Sequence, residues 1–101
     1  YSIIKKYIPN ASVIYTLSPI PLMATFRPQS CITANSVSKS ILRVALDNVM
    51  SKNIDKKDLY YFPSYEITKE YFTDPFIEDN RHLKDEYTLK IMKIFEENYC
   101  C

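Results

Sequence analysis

The sequence predicts an α/β fold in which the strands pair in parallel and helices cover both faces of the sheet. Its elements follow the order helix, strand, helix, strand, helix, and a strand–helix–strand unit of this length implies a right-handed crossover between two parallel neighbours. The chain has 101 residues, 47% of them apolar, which is the size of one domain and excludes intrinsic disorder. A parallel sheet needs more than two strands. We therefore expect residues 1–101 to be a single partial domain, the C-terminal half of a three-layer α/β domain.

The first elements are predicted from hydrophobic periodicity and from the positions of proline. Residues 2–8 have the spacing of a helix that presents Ile and Tyr on one face, and Pro9 ends it. Residues 11–17 are rich in β-branched and aromatic side chains and predict a buried strand that two prolines terminate. Residues 19–34 hold three of the six prolines and no clear period. They predict a long ordered loop, of a length that is often functional.

The central helix is expected to begin at Asn35 or Ser36, since either side chain can accept from the free N–H groups of a first turn. Its apolar stripe should face the sheet, and its charged side chains should face water. The predicted inward stripe is Ile41, Leu42, Ala45, Leu46 and Val49, and the predicted outward residues are Lys39, Arg43 and Asp47.

The C-terminal half contains one more strand and one more helix. Residues 59–62 predict a short strand that Pro63 ends, and residues 64–67 predict a loop at the strand end. A weak helical turn near residues 68–73 leads to the Asp-Pro stop that follows. Asp85 is the expected cap of a last helix over residues 86–99. The face of that helix expected to pack inward is Thr88, Ile91, Met92, Phe95 and Tyr99.

Composition excludes several classes of function. The chain has no glycine, so glycine-rich loops that cradle phosphates are excluded. The net charge is +1, and no basic stripe with interleaved aromatics is present, so we expect no nucleic-acid partner. No apolar run reaches the roughly 18–20 residues that span a bilayer, so we expect no membrane partner.

The cysteines suggest a compartment and no metal site. An odd count of three cysteines without a secretion signal favours a reducing, cytoplasmic location over a disulfide framework. Adjacent Cys100 and Cys101 lack the four-ligand set and usual spacing of a zinc site. We therefore expect no metal site, and the serine-type mechanism considered below requires no organic cofactor. Cys31 in the long loop is expected to be a small buried apolar group.

The candidate site lies where the carboxyl ends of the strands should gather, because open α/β sheets bind their ligands at that edge. Asp79 and His82, the one histidine of the chain, are three residues apart in a loop that turns into the last helix. Such a turn can bring both side chains together, so that the carboxylate orients the imidazole and leaves its other nitrogen free as a base. A surface histidine near a helix start is the alternative interpretation.

Four further residues are candidates for the wall of a substrate pocket. Ser18 and Ser64 follow the two predicted strands, but neither has the glycine-dependent elbow of a nucleophile. We expect structural roles for them: a hydrogen bond to loop backbone for Ser18 and a turn cap for Ser64. Tyr65 and Glu66 either shape the pocket or form an ordinary tyrosine–acid pair.

Four blocks over residues 10–99 resemble the GSCFA-domain family of the SGNH (GDSL-like) esterase and lipase superfamily. Residues 14–22, IYTLSPIPL, resemble the family's TLSPVP strand end, and residues 34–43, ANSVSKSILR, its N-x-x-SKs-x-LR helix. Residues 61–67, YFPSYEI, are similar to its YFPSYEI segment, and residues 78–82, EDNRH, fall where the family has its Asp and His. The family's usual Pro-Ser after that histidine is Leu83-Lys84 here.

The resemblance implies a flavodoxin-like αβα sandwich and a serine-type esterase mechanism. His82 would be the general base and Asp79 its orienting carboxylate, while the family's nucleophile lies in an N-terminal Gly-Ser-Cys-Phe-Ala block that is absent from residues 1–101. The parent protein would hydrolyse or transfer the acyl group of a small ester or an acylated carbohydrate, and these residues alone would be inactive.

Two further expectations stay open. The chain is alternatively a non-catalytic α/β binding or interaction module in which Asp79 and His82 are purely structural. In either case a half sheet leaves an unpaired strand edge, so we expect the isolated chain to associate with itself.

Overall fold

The computed structural model describes residues 1–100. Two short strands and four helices follow one another along the chain, and a π-helical turn extends the third helix. In order they are α1 (Ser2–Tyr7), β1 (Val13–Thr16), α2 (Cys31–Lys52), β2 (Leu59–Phe62), α3 (Ser64–Glu66), the π-helical turn (Ile67–Tyr71) and α4 (Asp85–Tyr99).

The two strands form one sheet and run in parallel. Val13 lies opposite Leu59 and Thr16 opposite Phe62, with no irregularity between. The strands form where β-branched and aromatic residues are concentrated, and a proline follows each of them closely. The structure thus confirms the predicted α/β class and the parallel pairing.

Helices cover both faces of β2. On one face the Phe62 ring meets the rings of Phe95 and Tyr99 of α4 edge-on, at centroid distances of 5.2 and 5.9 Å. On the other face the Arg43 guanidinium of α2 lies 4.6 Å from the centre of the Tyr61 ring. Because successive strand residues point to opposite faces, this alternation puts the sheet between two helical layers, as predicted.

The core is small and lies where these layers meet. Its buried apolar residues are Val13, Leu17, Ala34, Leu59, Phe62 and Ile91. The accessible surface of the chain is 7647 Å², whereas a compact monomer of this mass exposes about 5,900 Å². The chain thus has an excess of about 1,700 Å² of exposed surface, and its exposed residues include large apolar side chains such as Ile3, Phe26 and Ile41.

The start of α2 differs from the prediction. The helix begins four residues before Asn35, and its N-cap is Ser30, whose hydroxyl accepts from the Thr33 N–H at 3.2 Å. Asn35 instead accepts from the Leu22 N–H at 3.0 Å, so its side chain fastens the long loop to the helix. Periodicity missed this first turn because the loop, and not the sheet, packs against it.

The predicted orientation of α2 is also wrong for most of its residues. Lys39 is only 8% exposed, whereas Ile41 is 62% exposed, and Leu42 and Ala45 also face solvent. Lys39 and Arg43 were expected to face water, but both turn inward because their head groups reach an acceptor there, the Ser18 carbonyl and the Glu66 carboxylate. The prediction holds only for the inward Leu46 and Val49, which are partly buried, and for the outward Asp47.

The residues after β2 are more helical than expected. Residues 64–67 were predicted to be a loop, but α3 begins directly at Ser64 and continues into the π-helical turn. Asp85 is the first residue of α4 and not its cap; the cap position is Lys84, whose side chain makes no capping hydrogen bond. In α4 Ile91 is buried as predicted, while Thr88 and Met92 are exposed. None of the helices in residues 1–100 is long and apolar enough to cross a membrane.

Candidate functional site

The candidate site is built on a hairpin-like loop that precedes α4. Phe76 and Leu83 form an isolated antiparallel bridge that closes the loop, and the Ile77 N–H donates to the His82 carbonyl at 2.8 Å. The chain reverses at Asn80, which has a left-handed backbone with φ of 53°. Asparagine tolerates this conformation better than most residues, which is how a chain without glycine makes so tight a turn.

The turn brings Asp79 and His82 into contact. Asp79 Oδ2 lies 2.5 Å from His82 Nδ1, and Asp79 Oδ1 accepts from the backbone N–H groups of Arg81 and His82 at 2.9 Å each. Because a carboxylate can only accept, the neutral imidazole must carry its proton on Nδ1. Nε2 then keeps a free lone pair, as a general base requires.

The same contacts keep the carboxylate ionised. The hydrogen bond from the His82 ring, helped by the backbone N–H groups of His82 and Arg81, lowers the pKa of Asp79 to about 2. At neutral pH the carboxylate is therefore charged and can stabilise an imidazolium. The His82 side chain is 57% exposed and that of Asp79 39% exposed. The predicted contact between the Asp79 carboxylate and the His82 imidazole is present, while the catalytic role of these two residues stays a prediction.

His82 borders an apolar groove of about 430 Å³. The residues that follow β1 form one wall, and residues of α4 and the preceding loop form the other. The lining comprises Thr16, Ser18, Pro19, Ile20, Ser64, His82, Leu83, Thr88, Ile91 and Met92. Apart from the imidazole and four hydroxyl side chains, these walls are apolar, which suits a hydrocarbon portion of a ligand.

Two of the predicted pocket residues, Ser18 and Ser64, lie in this groove. The Ser18 hydroxyl accepts from the Ile20 N–H at 3.2 Å, so it bonds the loop backbone as expected. Ser64 does not cap a turn: its buried hydroxyl donates to the Leu17 carbonyl at 2.9 Å and lies 2.7 Å from Thr16 Oγ1. Ser64 thus joins the ends of the two strands beneath the groove.

The other two predicted residues lie elsewhere. Tyr65 lines a separate cavity of about 250 Å³ beside the start of α2. Glu66 accepts from Arg43 Nε at 2.6 Å and from the Tyr61 hydroxyl, so its carboxylate is occupied by the packing of α2 against β2. Neither side chain lines the groove that His82 borders.

Sequence reasoning missed some of the groove's lining. Leu83, Thr88 and Met92 border it, although the two residues of α4 were expected to pack inward. Their signal was position: Leu83 directly follows His82, and Thr88 and Met92 are the fourth and eighth residues of α4, one turn apart on the same helix face. Cys31 is only partly buried, and its thiol contacts the Leu22 carbonyl at 3.2 Å. Within residues 1–100 no cluster of three or more His, Cys, Asp or Glu side chains could hold a metal ion.

Comparison with models of known protein families assigns the chain to one of them. The model of the GSCFA family matches residues 1–95, which is nearly the whole sequence. The chain belongs to the GSCFA family. No curated protein and no solved structure matches it.

The segments that resemble GSCFA sequences meet at one edge of the sheet. Lys39 Nζ donates to the Ser18 carbonyl at 2.6 Å, and Ser64 Oγ donates to the Leu17 carbonyl at 2.9 Å. Arg43 and Glu66 join the helix segment to the segment after β2. In this GSCFA chain the signature residues therefore form one polar framework around the carboxyl ends of both strands, next to the loop that carries His82.

Proposed function

We propose that this GSCFA chain carries the general base and the orienting carboxylate of a serine-type acyl-ester hydrolase or acyltransferase. The observation that supports the proposal is the 2.5 Å contact between Asp79 Oδ2 and His82 Nδ1 beside an apolar groove. A carboxylate that fixes one ring nitrogen and leaves the other free is the arrangement that activates a hydroxyl nucleophile.

In the proposed mechanism His82 Nε2 takes the proton of the nucleophile as its oxygen attacks the ester carbonyl. The resulting imidazolium is stabilised by the ionised Asp79, and it then protonates the departing alkoxide as the carbonyl–oxygen bond breaks. Water completes hydrolysis, or a second hydroxyl completes transfer, by losing its proton to the same nitrogen and displacing the nucleophile from the acyl group. The reaction needs no organic cofactor.

The nucleophile in this proposal comes from outside residues 1–101. Ser64 is buried and bonded to the Leu17 carbonyl, and Ser18 bonds to its own loop, so neither hydroxyl is placed as an elbow nucleophile. The likeness to SGNH hydrolases suggests a nucleophile and oxyanion donors on an upstream segment of a flavodoxin-like sandwich. Without them the base alone contributes little to the rate, and the isolated chain should be silent.

The groove suggests the substrate class. Its walls are formed largely by Pro19, Ile20, Leu83, Ile91 and Met92, and its volume of about 430 Å³ accommodates a short acyl group. A small ester or an acylated carbohydrate would place its acyl chain against these walls and its polar part toward solvent.

A second candidate function is a non-catalytic binding module. One observation favours it: among residues 1–100 the imidazole has a carboxylate partner but no serine or cysteine bonded to its free nitrogen. In that case the groove would bind a partner or a glycan, and Asp79 would only shape the loop.

The test uses the full-length protein that contains these residues, with p-nitrophenyl acetate as the ester. His82→Ala should reduce kcat/KM at least about 100-fold, the scale of general-base catalysis. Glu78→Gln is the matched control, because Glu78 is exposed in the same loop and has no bonded partner among residues 1–100. Turnover by His82→Ala within about twofold of wild type would overturn the enzyme proposal, and glycan binding without turnover would support the module.

A further inference from the structure

Lys39 is a charged side chain buried in the middle of α2. It is 8% exposed, and its ammonium donates to the Ser18 carbonyl at 2.6 Å. Ser18 is the second residue after β1 and lines the groove that His82 borders. The lysine therefore reaches from the helical layer to the end of the strand, directly behind one wall of the candidate site.

This ammonium has no counter-ion in the part of the chain that is described. None of the ion pairs among residues 1–100 includes Lys39, and one carbonyl is its only hydrogen-bond acceptor there. An ammonium has three N–H donors, and burying it without a carboxylate is costly. Burial accordingly lowers the pKa of Lys39. A methionine would fill similar space without that cost.

We propose that Lys39 is a positioning residue for the groove: its hydrogen bond holds the Ser18 carbonyl, and thereby the wall formed by Ser18, Pro19 and Ile20, in place beside His82. The inference rests on the proposed function, because it assigns that wall to the acyl group of the substrate. It also explains why an unpaired cation occupies a position where an apolar side chain would be less costly.

A structural role and a positioning role predict opposite changes in stability. If Lys39 mainly holds the fold together, Lys39→Met lowers the melting temperature, and any loss of activity follows from unfolding. If Lys39 positions the wall, Lys39→Met removes a buried unpaired charge, so the melting temperature stays the same or rises while activity falls.

The experiment compares Lys39→Met and Lys39→Arg in the full-length protein, with p-nitrophenyl acetate and p-nitrophenyl butyrate as substrates. Lys39→Met should lose at least about tenfold in kcat/KM, with the larger loss for the longer acyl chain. Lys39→Arg keeps a cation that can donate to the Ser18 carbonyl and should recover at least about a third of the wild-type value. Lys52→Met is the control, since Lys52 is exposed at the end of the same helix.

Each result bears on one proposal. A lower melting temperature or failure to fold in Lys39→Met would overturn the positioning role, and so would unchanged kinetics. If His82→Ala abolishes turnover while Lys39→Met does not affect it, this inference alone fails. If His82→Ala is fully active, the proposed function fails.

Discussion

The Tyr61 hydroxyl lies within hydrogen-bond distance of both carboxylate oxygens of Glu66, at 3.0 and 2.8 Å. The same carboxylate accepts from Arg43 Nε at 2.6 Å, and the Arg43 guanidinium covers the Tyr61 ring. These three side chains join α2, β2 and α3. Burial and the neighbouring carboxylate raise the pKa of Tyr61 to about 12, so the phenol stays a donor at any physiological pH.

We expect this cluster to act as a unit in folding. Glu66→Gln should destabilise the chain by about 1–3 kcal/mol, because a bond between charged groups is lost and Arg43 keeps only the exposed Asp47 carboxylate, 3.8 Å away, as an ionic partner. In a double-mutant cycle, Glu66→Gln and Tyr61→Phe should be coupled by about 0.5–3 kcal/mol. Denaturant unfolding of the four proteins measures the coupling, and additive effects would show that the contacts are independent.

The Asp79 carboxylate should contribute a pH-dependent part of the stability. The pKa of Asp79 is about 2 in the folded chain, below the ordinary 3.8 of an aspartate, so the contribution of this carboxylate is complete above about pH 4 and is lost as the pH falls through about 2. Melting temperatures over this window should fall less steeply for Asp79→Asn than for wild type. The control Glu78→Gln should keep the wild-type slope; equal slopes for all three proteins would contradict the prediction.

His82 should be the Nδ1–H tautomer when neutral. It is the only histidine of the chain, so its two ring nitrogens can be assigned directly from ¹⁵N NMR at pH 8. Asp79→Asn should shift the equilibrium toward the Nε2–H tautomer, because the amide no longer requires a donor at Nδ1. A wild-type spectrum dominated by Nε2–H would show that the carboxylate does not orient the ring.

The left-handed turn at Asn80 should tolerate glycine and disfavour alanine. With φ of 53°, a β-carbon costs about 1 kcal/mol, which asparagine partly offsets. Asn80→Ala should therefore lower the free energy of unfolding by up to about 1 kcal/mol, while Asn80→Gly changes it little. Chemical denaturation measures both, and equal stability of the two variants would contradict the assigned backbone.

The isolated chain should associate with itself. Its excess surface of about 1,700 Å² exceeds the roughly 800 Å² that each partner buries in a standard interface. In the parallel ladder Val13 bonds toward β2, so the backbone groups of Ile14 point to the open edge. Sedimentation should show dimers or larger species, and Ile41→Lys, at an exposed apolar position of α2, should weaken this association. A wild-type monomer that melts cooperatively would contradict the half-domain prediction.

The parts of the fold that the sequence predicts are those governed by local chemistry. Both strands follow from runs of β-branched and aromatic residues that end at proline, and the Asp79–His82 contact follows from a three-residue spacing. The orientation of α2 could not be predicted in this way. A prediction from periodicity assumes that apolar faces turn inward. Lys39 and Arg43 turn inward instead because they donate hydrogen bonds to the Ser18 carbonyl and the Glu66 carboxylate.

Those acceptors are distant in sequence and become neighbours only when the strands pair. The same is true of the contact between Ser64 and the Leu17 carbonyl, which spans 47 residues. No local pattern distinguishes a serine that joins two strands from one that caps a turn. Tyr65 and Glu66 are adjacent to it in sequence and yet face a different cavity and a different helix.

The Ser64 bond has a mechanical consequence. A strand of four residues has few ladder bonds with which to resist sliding, but the hydroxyl fastens the end of β1 to the start of α3. Moving either strand by one step along the other would break this fastening as well as the ladder. The Ser64 hydroxyl therefore adds to the few ladder bonds that hold the two strand ends in register beneath the groove.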